Sequence, residues 1–124
     1  MSIPNAINCH EEPVASAGAD VSAPAANTSA VVTYAAGGAG VQHCIGGIAW
    51  SYNNTPTGGN LLVQDGATTI LSLDITAGGP GYIQFVPPKK GTANQALTVT
   101  LAAAGASVSG KVSILGHWTE GPSP

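Results

Sequence analysis

Short apolar runs separated by turn residues fill the chain from Thr28 onward, and in several runs apolar and polar residues alternate one by one. Such alternation places one set of side chains on each face of a β-strand. Connections rich in Gly, Pro and Asn separate the runs, and Asp65-Gly66 is a typical hairpin turn. The pattern predicts seven strands, at residues 30–34, 42–52, 61–64, 69–75, 82–86, 96–101 and 107–118.

Seven short strands without an amphipathic helix predict an all-β fold, an antiparallel β-sandwich or jelly roll of about seven to eight strands. We assign this domain to residues 28–120 and a short tail to residues 121–124. Alternation in the last run places His117 on the polar face, beside Lys111 and Ser113. The predicted core includes Trp50, Tyr52, Leu97, Val99, Ile114 and Trp118.

Residues 1–27 lack this alternation and are rich in Ala, Pro and Gly. Such a segment buries too little apolar surface to fold alone, but it can become ordered on a partner. We therefore predict an extended N-terminal arm, and the alternative is an N-terminus without fixed structure. The residues expected to bind a partner are three isolated apolar side chains and the polar pair between them: Ile3, Ile7, Cys9, His10 and Val14.

Composition narrows the possible partners. The 124 residues are 44% hydrophobic but only 7% charged, with no arginine and a formal net charge of −3. This charge balance argues against nucleic acid and acidic membrane surfaces as partners, and no apolar run has the roughly 20 residues that span a bilayer. A surface of small neutral side chains instead suits packing against other protein subunits. We expect a homo-oligomer, with a trimer favoured.

Chemistry-bearing residues are few, and none forms a known catalytic motif. We predict that the chain is not an enzyme and needs no cofactor. Cys9-His10 and His43-Cys44 suggest a zinc site, but neighbouring residues on a strand point to opposite faces, so we predict no metal there. Cys44 is expected to be a small buried residue. Its pairing with Cys9 stays open, although the N-terminus lacks the pattern of a secretory signal and reduced thiols are expected in the cytoplasm.

Trp50 and Tyr52 lie two residues apart, so they share one face of a predicted strand. Two aromatic rings on a sheet can stack on sugar rings, and Trp118 could join such a glycan platform at the rim. However, the neighbours on the same face are the apolar Ile48 and Cys44. The pattern therefore favours burial of the pair in the core.

Five pieces of the sequence, GIAWSY, PTGGNL, GGPGYIQF, KKGTAN and GKVSILGHWTE, resemble a small β-sandwich module of virion proteins from tailed bacteriophages. The resemblance covers about residues 24–120 and carries no catalytic residues. It implies a non-enzymatic structural protein that decorates or cements the capsid surface through its N-terminal arm. The implied partners are the major capsid protein or other virion proteins, and the implied location is the virion, after synthesis in the host cytoplasm. The alternative is a receptor- or glycan-binding tip domain of a phage fibre or spike.

Overall fold

The computed structural model describes residues 20–121. This range contains no helix that is long and apolar enough to cross a membrane. The described residues form nine strands: β1 Val21–Ser22, β2 Ala30–Tyr34, β3 Gln42–Tyr52, β4 Gly59–Asp65, β5 Thr68–Ile75, β6 Gly79–Lys90, β7 Leu97–Leu101, β8 Gly110–Ile114 and β9 His117–Glu120.

The strands form two antiparallel sheets that pack face to face. Sheet A has the order β1-β8-β3-β6, with β9 added beside the first half of β3, and sheet B has the order β2-β7-β4-β5. The pairs β1–β8, β2–β7, β3–β6 and β4–β5 are those of one long two-stranded ribbon. Winding that ribbon on itself adds the pairs β3–β8 and β4–β7. This is a jelly roll, so the predicted all-β fold class is confirmed.

The core lies between the inner faces of the two sheets. In β7 the alternation predicted from the sequence is confirmed, because Leu97, Val99 and Leu101 are buried while Thr98 and Thr100 are not. The fully buried side chains of this core also come from β3, β4 and β8; the largest are Tyr52, Ile45, Ile48, Leu61, Val63 and Val112. Between β4 and β5, Gly66 takes a left-handed φ of 61° and makes the hairpin predicted at Asp65-Gly66.

Two strand boundaries differ from the prediction because of local backbone geometry. Prolines were expected to end the run at 82–86, but β6 continues through Pro80, Pro87 and Pro88. β6 is the outer strand of sheet A and pairs only with β3, so a missing N–H on its open side removes no ladder bond. The run at 107–118 is not one strand. It breaks after Ile114, where Gly116 has a φ of 83°, and resumes as β9.

The arm prediction also needs a correction at its C-terminal end. Residues 20–22 were assigned to the arm, yet Val21 and Ser22 pair with Ser113 and Val112 of β8. The Ser22 hydroxyl also accepts a hydrogen bond of 3.1 Å from the backbone N–H of Val31, which joins β1 to β2. Two residues are too few to show an alternating pattern, so β1 could not be predicted from the sequence.

Candidate functional site

The outer face of sheet A is apolar, and the strand register defines it. Tyr82 of β6 lies opposite Ala49 of β3, Ala49 lies opposite Ser113 of β8, and Ser113 lies opposite Val21 of β1. Paired residues point to the same side of a sheet. Large side chains therefore stand at both edges of this row, with small ones between them, and the row forms a shallow trough.

The same face holds most of the exposed large hydrophobic residues. Of the five that are exposed among residues 20–121, Tyr82 and Val21 belong to the row. Val86 follows the buried Phe85 in β6 and Leu115 follows the buried Ile114 directly after β8, so both point outward. Tyr82 is 67% exposed and Val86 is 83% exposed. We call the surface formed by Val21, Tyr82, Val86 and Leu115 the apolar face.

Charge is nearly absent from the apolar face. The neighbouring row contains Pro80, Ser51 and the charged Lys111. Further along β3, Lys90 lies opposite Cys44 and Glu120 lies opposite Gln42, and these two charges form an ion pair with each other. The outer face of sheet B differs, because its cross-strand rows carry mainly hydroxyl and amide groups; one such row is Thr33, Thr98, Gln64 and Thr69. A neutral apolar surface of this kind is inexpensive to desolvate and suits a protein–protein contact.

A second group of side chains joins the two sheets at the end of the sandwich. The Tyr34 hydroxyl of β2 donates a hydrogen bond to the Asp20 carboxylate. The Tyr34 ring stacks on the ring of His117 at the start of β9, with the ring centroids 3.7 Å apart and the planes 1° from parallel. His117 Nε2 lies 2.9 Å from His43 Nδ1 on β3, and His43 Nε2 lies 2.7 Å from the Ala35 carbonyl oxygen. We call Asp20, Tyr34, His43 and His117 the histidine clasp.

Burial sets the electrostatics of the histidine clasp. Tyr34 and His43 are buried, and His117 is half-buried. Burial, with a smaller contribution from His43, lowers the pKa of His117 from 6.5 to about 4, although the Asp20 carboxylate acts in the opposite direction. Burial and the hydrogen bond to Asp20 raise the pKa of Tyr34 well above its ordinary value, so this hydroxyl stays a donor.

The histidine clasp corrects one prediction from the sequence and adds an unexpected cluster. His117 was placed on the polar face with Lys111, but the break at Gly116 ends that alternation and turns the ring inward onto Tyr34. No sequence pattern connects these residues, since His43 and His117 are separated by 74 positions. The glycine within the last apolar run was the one available signal, because glycine inside a strand often marks a bend.

Within residues 20–121, no three His, Cys, Asp or Glu side chains come together as possible metal ligands. The nitrogens of His43 and His117 meet in a hydrogen bond. Two ligands of one metal ion would instead direct their lone pairs at a third point. Cys44, the neighbour of His43 on β3, is fully buried, as predicted for a small apolar residue.

The aromatic residues of the suggested glycan platform occupy three different environments. Tyr52 is 1% exposed, and its hydroxyl donates a 2.7 Å hydrogen bond to the Ala102 carbonyl, so its ring offers no face for stacking. Trp50 is half-buried and packs against the core. Trp118 is also half-buried on β9, but it is not part of the core that the sequence predicted for it, because His117, opposite the core residue Ile45, takes the inward position and Trp118 the outward one.

The remaining predicted site residues are those of the arm. Ile3, Ile7, Cys9, His10 and Val14 lie outside the described residues, as do residues 122–124 of the predicted tail.

No family model matches this chain, and no curated protein or solved structure is significantly similar to it.

Proposed function

We propose that the chain is a non-enzymatic structural protein of a bacteriophage virion that decorates or cements the capsid surface. In this proposal the N-terminal arm binds the major capsid protein or another virion protein. The apolar face packs against a second copy of the chain in a homo-oligomer, for which a trimer is the favoured form.

The observation that carries the proposal is the apolar face. Most of the exposed large hydrophobic residues of the described chain gather on one side of one sheet, around small residues. Soluble proteins rarely leave such a patch uncovered, and its neutrality lets copies approach without charge repulsion. The arm enters at the edge of this surface, since Val21 belongs both to the face and to the first described strand.

The fold and the sequence resemblance support the same class of function. Jelly rolls occur in viral capsid proteins, but they also occur in lectins, so the fold alone does not choose between attachment to a capsid and binding of a glycan. The pieces of sequence that resemble phage virion modules support a virion protein, and they fit a capsid decoration protein and a fibre or spike domain alike.

The arm is tested by co-sedimentation with DNA-free heads of the phage that encodes the chain, prepared without this protein. We expect the full chain to saturate the heads and a variant lacking residues 1–19 to lose at least about tenfold in affinity, while circular dichroism shows that its β-fold is intact. The deletion spares β1, which belongs to sheet A. Equal binding of the truncated protein would show that the jelly roll itself makes the capsid contact.

The apolar face is tested by the mass of the protein in sedimentation velocity. The chain has a mass of 12.1 kDa, and we expect a species of about three times that mass at micromolar concentration. The double variant Tyr82→Ser/Val86→Ser should shift it towards the monomer. The matched control is Val31→Ser, because Val31 is 42% exposed but lies on β2 of sheet B. A wild-type monomer, or equal dissociation by the control variant, would refute the assigned interface.

The alternative is a receptor- or glycan-binding tip domain, and Tyr82 is the residue that favours it. Its ring is mostly exposed and lies beside small side chains, an arrangement that suits stacking on a sugar. A glycan array probed with the full chain and with Tyr82→Ser distinguishes the two functions. Binding that is lost on this substitution would support the tip domain.

A further inference from the structure

The histidine clasp brings together four parts of the chain. Asp20 precedes β1, Tyr34 ends β2, His43 lies near the start of β3 and His117 begins β9. Their contacts run without interruption from the Asp20 carboxylate to the Ala35 carbonyl. The clasp therefore ties sheet A to sheet B at the point where residues 1–19 join the described chain.

The hydrogen bonds fix where the protons are when both rings are neutral. The Ala35 carbonyl can only accept, so His43 Nε2 carries a hydrogen and His43 Nδ1 does not. His117 Nε2 must then donate to His43 Nδ1, which leaves His117 Nδ1 without a hydrogen. Each ring has one N–H group, and each of these N–H groups has one acceptor.

We infer that the histidine clasp is a proton-operated switch, which is closed while both imidazoles are neutral and opens when they are protonated, releasing β9 and the segment at Asp20 from the sandwich. A first proton binds at His117 Nδ1, which has no hydrogen; it leaves the hydrogen bond from His117 Nε2 to His43 Nδ1 in place but puts a positive charge on a half-buried ring. A second proton places two N–H groups 2.9 Å apart and two positive charges side by side. The closed geometry has no acceptor for that arrangement.

The groups around the clasp have opposite effects on the pKa of His117. Their balance sets the pH at which the clasp opens. The Asp20 carboxylate and the face of the stacked Tyr34 ring favour a positive His117. Burial and His43 disfavour the cation and lower the pKa of His117 to about 4. The other charged pair on these strands, Lys90 with Glu120, is satisfied by its own 2.5 Å ion pair.

The direction of the pH dependence follows from this lowered pKa. A released His117 has a pKa near 6.5 and takes up a proton before the closed form does. As far as the single proton of His117 is concerned, closure is thus complete above about pH 6.5 and weakens as the pH falls towards 4, by at most about tenfold per pH unit. Few other contacts hold the first described residues, because β1 pairs with β8 through only Val21 and Ser22.

Hydrogen exchange followed by mass spectrometry on the full chain, between pH 7.5 and 4.5 and corrected for intrinsic rates, tests the switch. We expect peptides covering residues 20–22 and 117–120 to lose at least about tenfold in protection at the acid end. Peptides from β7 should keep theirs. Loss of protection in β7 at the same pH would indicate general acid unfolding and overturn the inference, as would unchanged protection at residues 20–22 and 117–120.

Two variants test whether the loss of protection in acid comes from His43 and His117. His117→Phe keeps a ring for the stack on Tyr34 but cannot be protonated, so protection at residues 20–22 should not depend on pH. His10→Gln, the matched control, removes the remaining histidine of the chain and should leave the wild-type profile unchanged. A wild-type profile in His117→Phe, or its loss in His10→Gln, would overturn the assignment.

If His117→Phe does not fold, nitrogen-15 NMR of the wild-type histidines decides, because the inference requires both rings of the clasp to be Nε2–H tautomers at pH 7.5.

Discussion

The contact between Gly81 and Trp50 allows a prediction of how Gly81→Ala changes the free energy of unfolding, including the sign of the change. Gly81 lies opposite Trp50 in the pairing of β6 with β3, and the indole covers it. A Cβ added at Gly81 would lie 2.6 Å from Cζ2, 2.8 Å from Cε2 and 3.1 Å from Nε1 of this ring. These are the three nearest atoms, and all belong to one rigid group. Gly81→Ala therefore has to displace the indole from the core.

The expected magnitudes follow from this geometry. Overpacking typically costs about 1–3 kcal/mol, and the reduced entropy of the unfolded chain returns about 0.5–1 kcal/mol, so Gly81→Ala should destabilise the wild-type protein by about 1–2 kcal/mol. Trp50→Ala should cost about 2 kcal/mol, less than the 3–5 kcal/mol of a fully buried tryptophan, because Trp50 is half-buried. In the Trp50→Ala background the obstacle is gone, and Gly81→Ala should then stabilise the fold by about 0.5 kcal/mol.

The measurement is urea denaturation of the four proteins of this double-mutant cycle, followed by far-ultraviolet circular dichroism and compared at constant m-value. The control for Trp50→Ala is Val31→Ala, which removes an exposed side chain from β2 of sheet B, outside the apolar face, and should cost less than about 0.5 kcal/mol. Gly81→Ala with the same cost in both backgrounds would refute the reasoning, because the obstacle would then lie in the backbone and not in the indole.

Two smaller predictions concern single hydrogen bonds, and both use the same assay. Tyr52→Phe should lower the free energy of unfolding by about 1 kcal/mol, because the buried ring stays while the Ala102 carbonyl loses its donor; an unchanged midpoint would contradict this. Asp65→Ala should cost about 1–2 kcal/mol, because its carboxylate accepts from both the backbone N–H and the hydroxyl of Thr92, at 3.0 and 2.6 Å. Thr92→Val removes only the second bond and should cost less, and an equal cost would show that the backbone bond contributes nothing.

The fold class was predictable because local patterns in the strands agree with their final environment. The bounds of β2 and β3 match the prediction residue for residue, and the alternation in β7 matches the burial of its side chains. The choice between a simple sandwich and a jelly roll was not predictable. It depends on pairs such as β1 with β8 and β2 with β7, which join opposite ends of the chain and leave no short-range signal.

The candidate sites were harder to predict for the same physical reason. The apolar face is made of residues that alternate with core residues on β6 and β8, and a sequence shows the alternation without showing which strands are neighbours. Trp118 was predicted to be core because its run reads as one strand, and a single residue of left-handed backbone at Gly116 changes its surroundings. The histidine clasp needs the two ends of the ribbon to meet, so it exists only in the complete fold.

The first described residues connect the two candidate sites. Asp20 accepts the hydrogen bond that begins the histidine clasp, and Val21, the next residue, lies at one edge of the apolar face. A change at the clasp therefore acts on the face through a single peptide bond. If protonation releases Asp20, the two-residue pairing of β1 with β8 has little to hold it, and the face loses Val21 while Tyr82 and Val86 stay on β6. Acid would then weaken the proposed subunit contact at the β1 edge first, and would also release Asp20, the first described residue. The jelly roll makes this coupling possible because it places β1, the first described strand, beside β8, only a bend away from His117.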